Sequence, residues 1–326
     1  MQMIPRANGS KYYRGFLTVH GMAVYDMICN QLMVKDYSGR LYITIRNGSP
    51  VSSDCFAAYK AVRDDHPEYF FLGQHVEFTR CGTVGTLTYS MLYSPDIIER
   101  IQLQLRKMIC NLVTGTYSKD TIEMERLVYE RIAKRAEYND NNDVKDHNVV
   151  GPVLTSSGVC EGHNALLILC YRRLGIPCVK VYGKTKKGIY HCWTIAWING
   201  IPAHCDVTWD ISKDDVIFYN YFNLSDRQIG IDHLEFDASN IPKCNSELVN
   251  YYRYNGHCVR SFDELCRKLR FDYSNGRRPY LLHFDYCPSS KDYLKECSRA
   301  LNQINIEGNH TIKFHSDHQN IAVVRE

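Results

Sequence analysis

The chain has 326 residues and a mass of 37.8 kDa, the size of two domains or of one large domain with appendages, so it can bury a full core. Its longest uninterrupted apolar run, Ala165 to Tyr171, is far short of the ~18 residues that cross a bilayer, which argues against a membrane-spanning protein. Lys+Arg 39 against Asp+Glu 36 leaves a net charge of +3 and a pI of about 8.1, below the pI above about 9 of a nucleic-acid footprint, which argues against a nucleic-acid partner.

The stretch from Met1 to Tyr13 has no apolar core of the ~7 to 15 residues that a secretion signal needs, so the cytosol is the expected compartment unless a leader has been removed. The 14 cysteines are about 4% of the chain, below the density of a disulfide scaffold, and most read as buried thiols. No CxxC pair occurs, so paired-knuckle zinc sites and thioredoxin-type redox motifs lack their usual signature.

From Gly39 to Ser49, Leu41, Ile43 and Ile45 alternate with polar positions ahead of an Asn47-Gly48 turn, the pattern of a strand. Asp54 is expected to cap a short helix that ends before Pro67. Ser94-Pro95 opens a long amphipathic helix carrying Ile97, Ile98, Ile101, Leu105, Met108, Ile109 and Leu112. A second helix is expected from Ser118 and carries Ile122, Leu127, Val128, Ile132 and Ala133; a turn at Gly115 makes the two a hairpin. Between Glu137 and Ser157 the chain turns polar and reads as a solvated loop that could close over a site. A helix from Cys160 to Leu174 follows, apolar on nearly all sides past its first turn and ended by Gly175 and Pro177, hence central and buried. Cys178 to Tyr182 reads as a strand, and the next two arms meet at Asn199-Gly200, a strong hairpin signal. Beyond them come a helix near Phe262 to Leu269, a strand at Pro279 to Tyr286, a helix at Ser290 to Ile304 and strands from Thr311, together a small α/β appendage.

The hairpin register carries chemistry. If Asn199-Gly200 is a two-residue turn, Ile198 faces Ile201, His191 faces Thr208, and Asp206 lies one diagonal step from His191 on the same face. The other face, from Cys192 and Thr194 to Cys205 and Val207, is small and apolar and is expected to be core, turned away from that pair. Cys160 supplies a thiol at a helix start, where unpaired N–H groups favour thiolate, and Gly158 and Gly162 are expected to keep its approach open. A thiolate served by a histidine that a carboxylate orients is the arrangement of acyl transfer, with the Cys160 N–H as one oxyanion donor. Spacing alone leaves other readings open. Cys160, His163, His191, His204 and Asp206 could supply zinc ligands, or each could be ordinary packing or surface. Trp193, Trp197 and Trp209 are groove walls or core anchors, and His204 reads as a satisfied or exposed histidine.

Gly158-Val159-Cys160-Glu161-Gly162, Leu174-Gly175-Ile176-Pro177, His191-Cys192-Trp193 and Asp206-Val207-Thr208-Trp209-Asp210 together resemble the bacterial branch of the transglutaminase-like superfamily in order and spacing. Tyr129 to Tyr138, Tyr221 to Asp226 with Asp232-His233, and Asp65-His66-Pro67-Glu68 are similar to its flanking segments, so the resemblance covers about residues 55 to 270. It implies an α+β fold: a papain-like core with a central helix packed on an antiparallel sheet, at 93–260, between small α/β regions at 1–92 and 261–326. It also implies Cys160 as nucleophile, His191 as base and Asp206 as orienting carboxylate, acting on a peptide or protein substrate as a cysteine peptidase, amidase or transferase, with no cofactor and no metal. The chain departs from the family's usual residues at His163, Cys192 and Pro202-Ala203-His204, which bears on substrate shape more than on the triad. A non-catalytic interaction module of the same fold is the competing class, and the intact triad argues against it.

Overall fold

The computed structural model describes residues 11–45, 48–117, 119–141, 143–212, 216–235, 240–276, 279–305, 310–315 and 318–325. Val24, Tyr25, Ile28 and Leu32, three and four residues apart, give α1 (Val19–Met33) its buried face. It packs beside β1 (Arg40–Thr44) and α2 (Ser52–Asp65). β1 joins β2 (Leu72–Cys81) and β3 (Val84–Met91) in an antiparallel sheet of order β1-β3-β2. Asp54 does not cap α2: the helix starts at Ser52, runs 14 residues, and Asp54 in its first turn accepts a hydrogen bond from Thr18 Oγ1. Asn47 of the expected turn lies outside the described residues.

α3 (Pro95–Val113) begins at the expected Ser94-Pro95. α4 (Thr121–Arg135) is capped by Asp120, which accepts the Glu123 N–H, and Ser118 lies outside the described residues. The polar stretch after it is not a structureless connector. It holds β4 (Glu137–Tyr138), α5 (Val150–Leu154) and β5 (Ser157–Gly158), with β4 and β5 paired in parallel, and buries Asp146.

α6 (Cys160–Arg173) is buried from Gly162 to Tyr171 apart from Leu169, and α3 and α4 both pack against it. A four-stranded sheet lies beside it: β6 (Cys178–Thr185), β7 (Tyr190–Ile198), β8 (Ile201–Cys205) and, after α7 (Asp226–Ile229), β9 (His233–Glu235), in the order β8-β7-β6-β9. Asn199 and Gly200 have φ of 51° and 82°, which turns β7 into β8 with Ile198 opposite Ile201. The ladder ends at Thr194 opposite Cys205. His191 therefore faces Gly183 of β6 rather than Thr208, because the chain past His204 bonds to a new neighbour: Asp206 N–H donates to Tyr221 O.

Both faces of this sheet are buried. Cys192, Thr194, Ala196, Ala203 and Cys205 pack toward α6, while Val179, Val181, Trp193, Ile195 and Trp197 form a second cluster with Tyr12, Tyr221, Leu224 and Ile229. The main core runs on from here into the N-terminal elements, joining Leu167 and Ile198 to Ile28, Val62 and Leu87.

After α8 (Tyr251–Tyr254) come β10 (Cys258–Val259), α9 (Phe262–Ser274), β11 (Tyr280–Phe284), α10 (Tyr293–Gln303), β12 (His310–His315) and β13 (Asn320–Arg325). Their sheet, of order β10-β11-β13-β12, is covered by α9 and α10 over a core of Leu265, Leu269, Leu282, Phe284, Cys297 and Val323, while Leu281 and Ala322 join the main core. The helices and strands expected in this region are present. The chain is α+β, and among its described residues no helix is long and apolar enough to cross a membrane.

Candidate active site

Cys160 is the first residue of α6, and no side chain caps that helix start. His191 is near the start of β7, and Asp206 follows the end of β8. The fold brings the three together. His191 Nε2 lies 2.5 Å from Asp206 Oδ2, which leaves Nδ1 for the Cys160 thiol, and that thiol interacts with the side chains of both His191 and Cys192. Asn164, one turn along α6, holds the approach: its amide donates to Cys160 O (3.1 Å) and Cys192 O (2.7 Å) and accepts from Thr194 Oγ1 (2.7 Å). Cys160, His191, Cys192, Tyr138 and Glu161 line a cleft of about 250 Å³.

The electrostatics follow from these contacts. Hydrogen bonding to Cys192 lowers the Cys160 pKa most; burial opposes it, and the hydrogen bond and charge of His191 carry it further down, well below the ordinary thiol range. Cys192, fully enclosed, is pushed well above that range by the same contact and by burial, so it keeps its proton and donates. Burial alone would lower His191, but the charge and hydrogen bond of Asp206 outweigh it and raise the imidazole to about 10. Burial would raise Asp206, yet His191 and then His233 hold it below the usual carboxylate range.

Several expectations are corrected here. Cys192 was expected to turn away from the thiol site. It does turn toward the core, but the core on that face is α6, so its thiol meets Cys160 at the helix start. Gly158 and Gly162 answer to packing rather than to access: a Cβ on Gly162 would sit 2.7 Å from Asn148 O and 2.8 Å from Asp146 O, and one on Gly158 would sit 3.1 Å from the Pro152 ring. Of the residues considered for zinc, Cys160, His191 and Asp206 meet, while His163 and His204 are engaged elsewhere. His163 is fully buried with Nε2–H donating to Glu137 O, and His204 accepts from Trp193 Nε1–H (2.8 Å) at Nδ1 and donates from Nε2 to Asp226 (3.0 Å).

Among the described residues two groups place three donor atoms within 4.8 Å, His191–Asp206–His233 and His204–Asp226–Cys244. His204 in the second has no lone pair to give a metal, since Nδ1 already accepts and Nε2 carries the proton. In the first, hydrogen bonds between imidazoles and carboxylate account for the short distances.

Trp193 and Trp197 are buried anchors, and Trp209, half-exposed, lies over His191 and His233 with ring centroids 5.6 Å and 4.3 Å away. The second histidine on Asp206, His233 Nε2 at 3.1 Å from Oδ2, was not read as a site residue. Its only signal was the Asp232-His233 pair in the flanking resemblance. Asn164 left a clearer one, a lone amide one turn past the cysteine in an otherwise apolar helix.

Fold and site together define an α+β protein in which the start of a buried helix brings a thiol to a histidine–carboxylate pair on an adjoining hairpin. Residues 107–208, which hold all three groups, match the model of the transglutaminase-like superfamily. No curated protein matches the chain. Solved structures similar to it include a TGase, at 13% identity over 63% of this chain and 58% of that one, with a TM-score of 0.32. Another is a candidate cysteine protease from Cytophaga hutchinsonii, at 15% identity over 45% and 64% of the two chains, TM-score 0.29. A candidate protease from Parabacteroides distasonis follows at 9% identity over 45% and 36%, TM-score 0.27. The chain thus spans less than two thirds of each of these proteins.

Proposed function

We propose that the protein is a thiol-dependent acyl-transfer enzyme acting on peptide or amide bonds, with Cys160 as nucleophile, His191 as general base and acid, and Asp206 as the carboxylate that orients the imidazole. The observation that carries this reading is the 2.5 Å bond between His191 Nε2 and Asp206, with the other ring nitrogen left to the Cys160 thiol. The thiolate attacks the carbonyl carbon, and the oxyanion forms near the Cys160 backbone N–H at the helix start. His191 then gives its proton to the leaving amine as the C–N bond breaks, leaving a thioester that water or a second amine resolves. A chain-like substrate suits the surroundings: a cavity of about 410 Å³, walled by Phe70, Leu72 and Val149, shares His147 and Glu161 with the cleft and extends it into a groove.

Limited iodoacetamide labelling with mass mapping tests the assignment. Cys160 should be modified first of all the thiols, and labelled protein should lose turnover of a casein or peptide-amide substrate in proportion. Labelling elsewhere with Cys160 untouched in folded protein would overturn the nucleophile. Adding a primary amine to the assay separates transfer from hydrolysis by its incorporation into the acyl product.

A further inference from the structure

Asp206 is enclosed by donors. Its Oδ2 meets His191 Nε2 at 2.5 Å and His233 Nε2 at 3.1 Å, and its Oδ1 accepts the Thr208 N–H at 2.9 Å. The other nitrogen of His233, Nδ1, lies 2.5 Å from Asp232 Oδ1. A neutral imidazole has one N–H and one lone pair, so between two carboxylates it would aim the lone pair at an anion; the imidazolium offers an N–H to each. Each carboxylate also accepts from other donors, Asp206 from Thr208 and His191 and Asp232 from the Tyr221 hydroxyl at 2.6 Å, so both are used as anions.

We propose that His233 is a positioning residue of this site, a buried imidazolium bridging Asp206 and Asp232 that holds Asp206 Oδ2 beside His191. This rests on the triad reading given above.

The surroundings suit a fixed cation. The His233 side chain is fully buried, its backbone is held by pairing with Thr185 of β6, and the rings of Trp209, Trp193 and Tyr221 lie 4.3, 5.0 and 5.5 Å away. The titratable groups around it are Asp232 beside it, Asp206 and His191 from the hairpin, Asp210 behind Tyr221, and His318, whose Nε2 is 3.6 Å from Asp232. Burial would lower the His233 pKa, but bonds to Asp206 and Asp232 outweigh it and raise it above the ordinary histidine value.

Charges therefore alternate from contact to contact: thiolate, His191 imidazolium, Asp206, His233, Asp232. A second cation on Asp206 Oδ2 favours the thiolate and offsets part of the pull of Asp206 on His191. Replacing it with a neutral group should raise the pKa of both the thiol and His191.

Two measurements decide. In the wild-type protein, ¹⁵N NMR of histidine, assigned by difference with His233→Gln, should find both ring nitrogens of His233 protonated at pH 8, where an ordinary imidazole is only about 3% protonated. In His233→Gln, the acid limb of the pH profile for Cys160 alkylation should move about one unit alkaline, making labelling ~10-fold slower on that limb, while the melting profile stays cooperative. A neutral His233 at pH 8 overturns the inference, as does an unchanged profile in His233→Gln. If wild-type Cys160 is unreactive, the proposed function fails instead, and the NMR result still decides the state of His233. If the variant does not fold, the wild-type spectrum, assigned instead by through-bond correlation to the backbone, decides.

Discussion

Two histidines of one hairpin, His191 and His204, each meet a buried or half-buried carboxylate, and only one of them faces a nucleophile. His204 spends its second nitrogen accepting the Trp193 indole N–H, which fixes a neutral tautomer donating to Asp226. His191 spends its second nitrogen on the Cys160 thiol, an acidic group that can hand over a proton. The residue pair is the same, and the partner of the free nitrogen decides whether it is scaffold or chemistry. Sequence parity put both histidines in view; only the neighbours separate them.

The sharpest way to break this comparison is to remove each carboxylate's charge in turn. Asp206→Asn should cut turnover by up to about 10⁴-fold with the fold intact, because the amide no longer fixes the imidazole tautomer or stabilises its cation, while Asp226→Asn should cost less than about tenfold. Steady-state assays on both variants check this, and equal losses would erase the distinction. Next in size is thiol reactivity. A thiol with a lowered pKa is thiolate above that pKa and loses reactivity only as pH falls through it, so Cys160 should still alkylate rapidly at pH 6, where an ordinary thiol is under ~1% ionised. Cys205, behind His204 and pushed far up by burial, should stay unlabelled there. Mass mapping across pH 5 to 9 reads both.

Stability gives two smaller tests. His191 is raised to about 10 in the folded chain, so its bond to Asp206 contributes stability in full below about pH 6.5, and that contribution is lost as pH rises toward 10. Denaturant melts of wild type and Asp206→Asn should accordingly converge over that window. Trp193→Phe removes the indole donor to His204 Nδ1, at a cost of about 1 to 3 kcal/mol, with Cys160 labelling largely retained. A collapse of labelling in that variant would mean that the scaffold histidine also supports the chemical one.

What could be read in advance follows from how local each signal is. The Asn199-Gly200 turn fixes a register over a few residues, and β7 and β8 obey it as far as Thr194 and Cys205. Past that point a hydrogen bond from Asp206 N–H to Tyr221 O takes over, and no periodicity announces a partner fifteen residues away. Register parity makes one face of the hairpin core and sets His191 opposite it, whereas both faces are buried; the run Cys192 to Ile198, apolar at six of seven positions where a one-sided strand would alternate, is the signal that parity passes over. Helix α1 escaped notice because its exposed face also carries apolar residues, Val19 and Met33, which blurs the stripe formed by Val24, Ile28 and Leu32. His233 could not be deduced from spacing at all, since it reaches Asp206 through β9 on the far edge of the sheet.

The reach of His318 to Asp232 also has a meaning in time. Residues are made in order, and the groups behind Asp206 are supplied from progressively later segments: His233, then the turn between β12 and β13. At roughly 5 to 20 residues per second, the ribosome delivers His318 some 8 to 30 seconds after Cys160. Over that interval the nascent chain carries its cysteine and histidine without the last of these outer contacts.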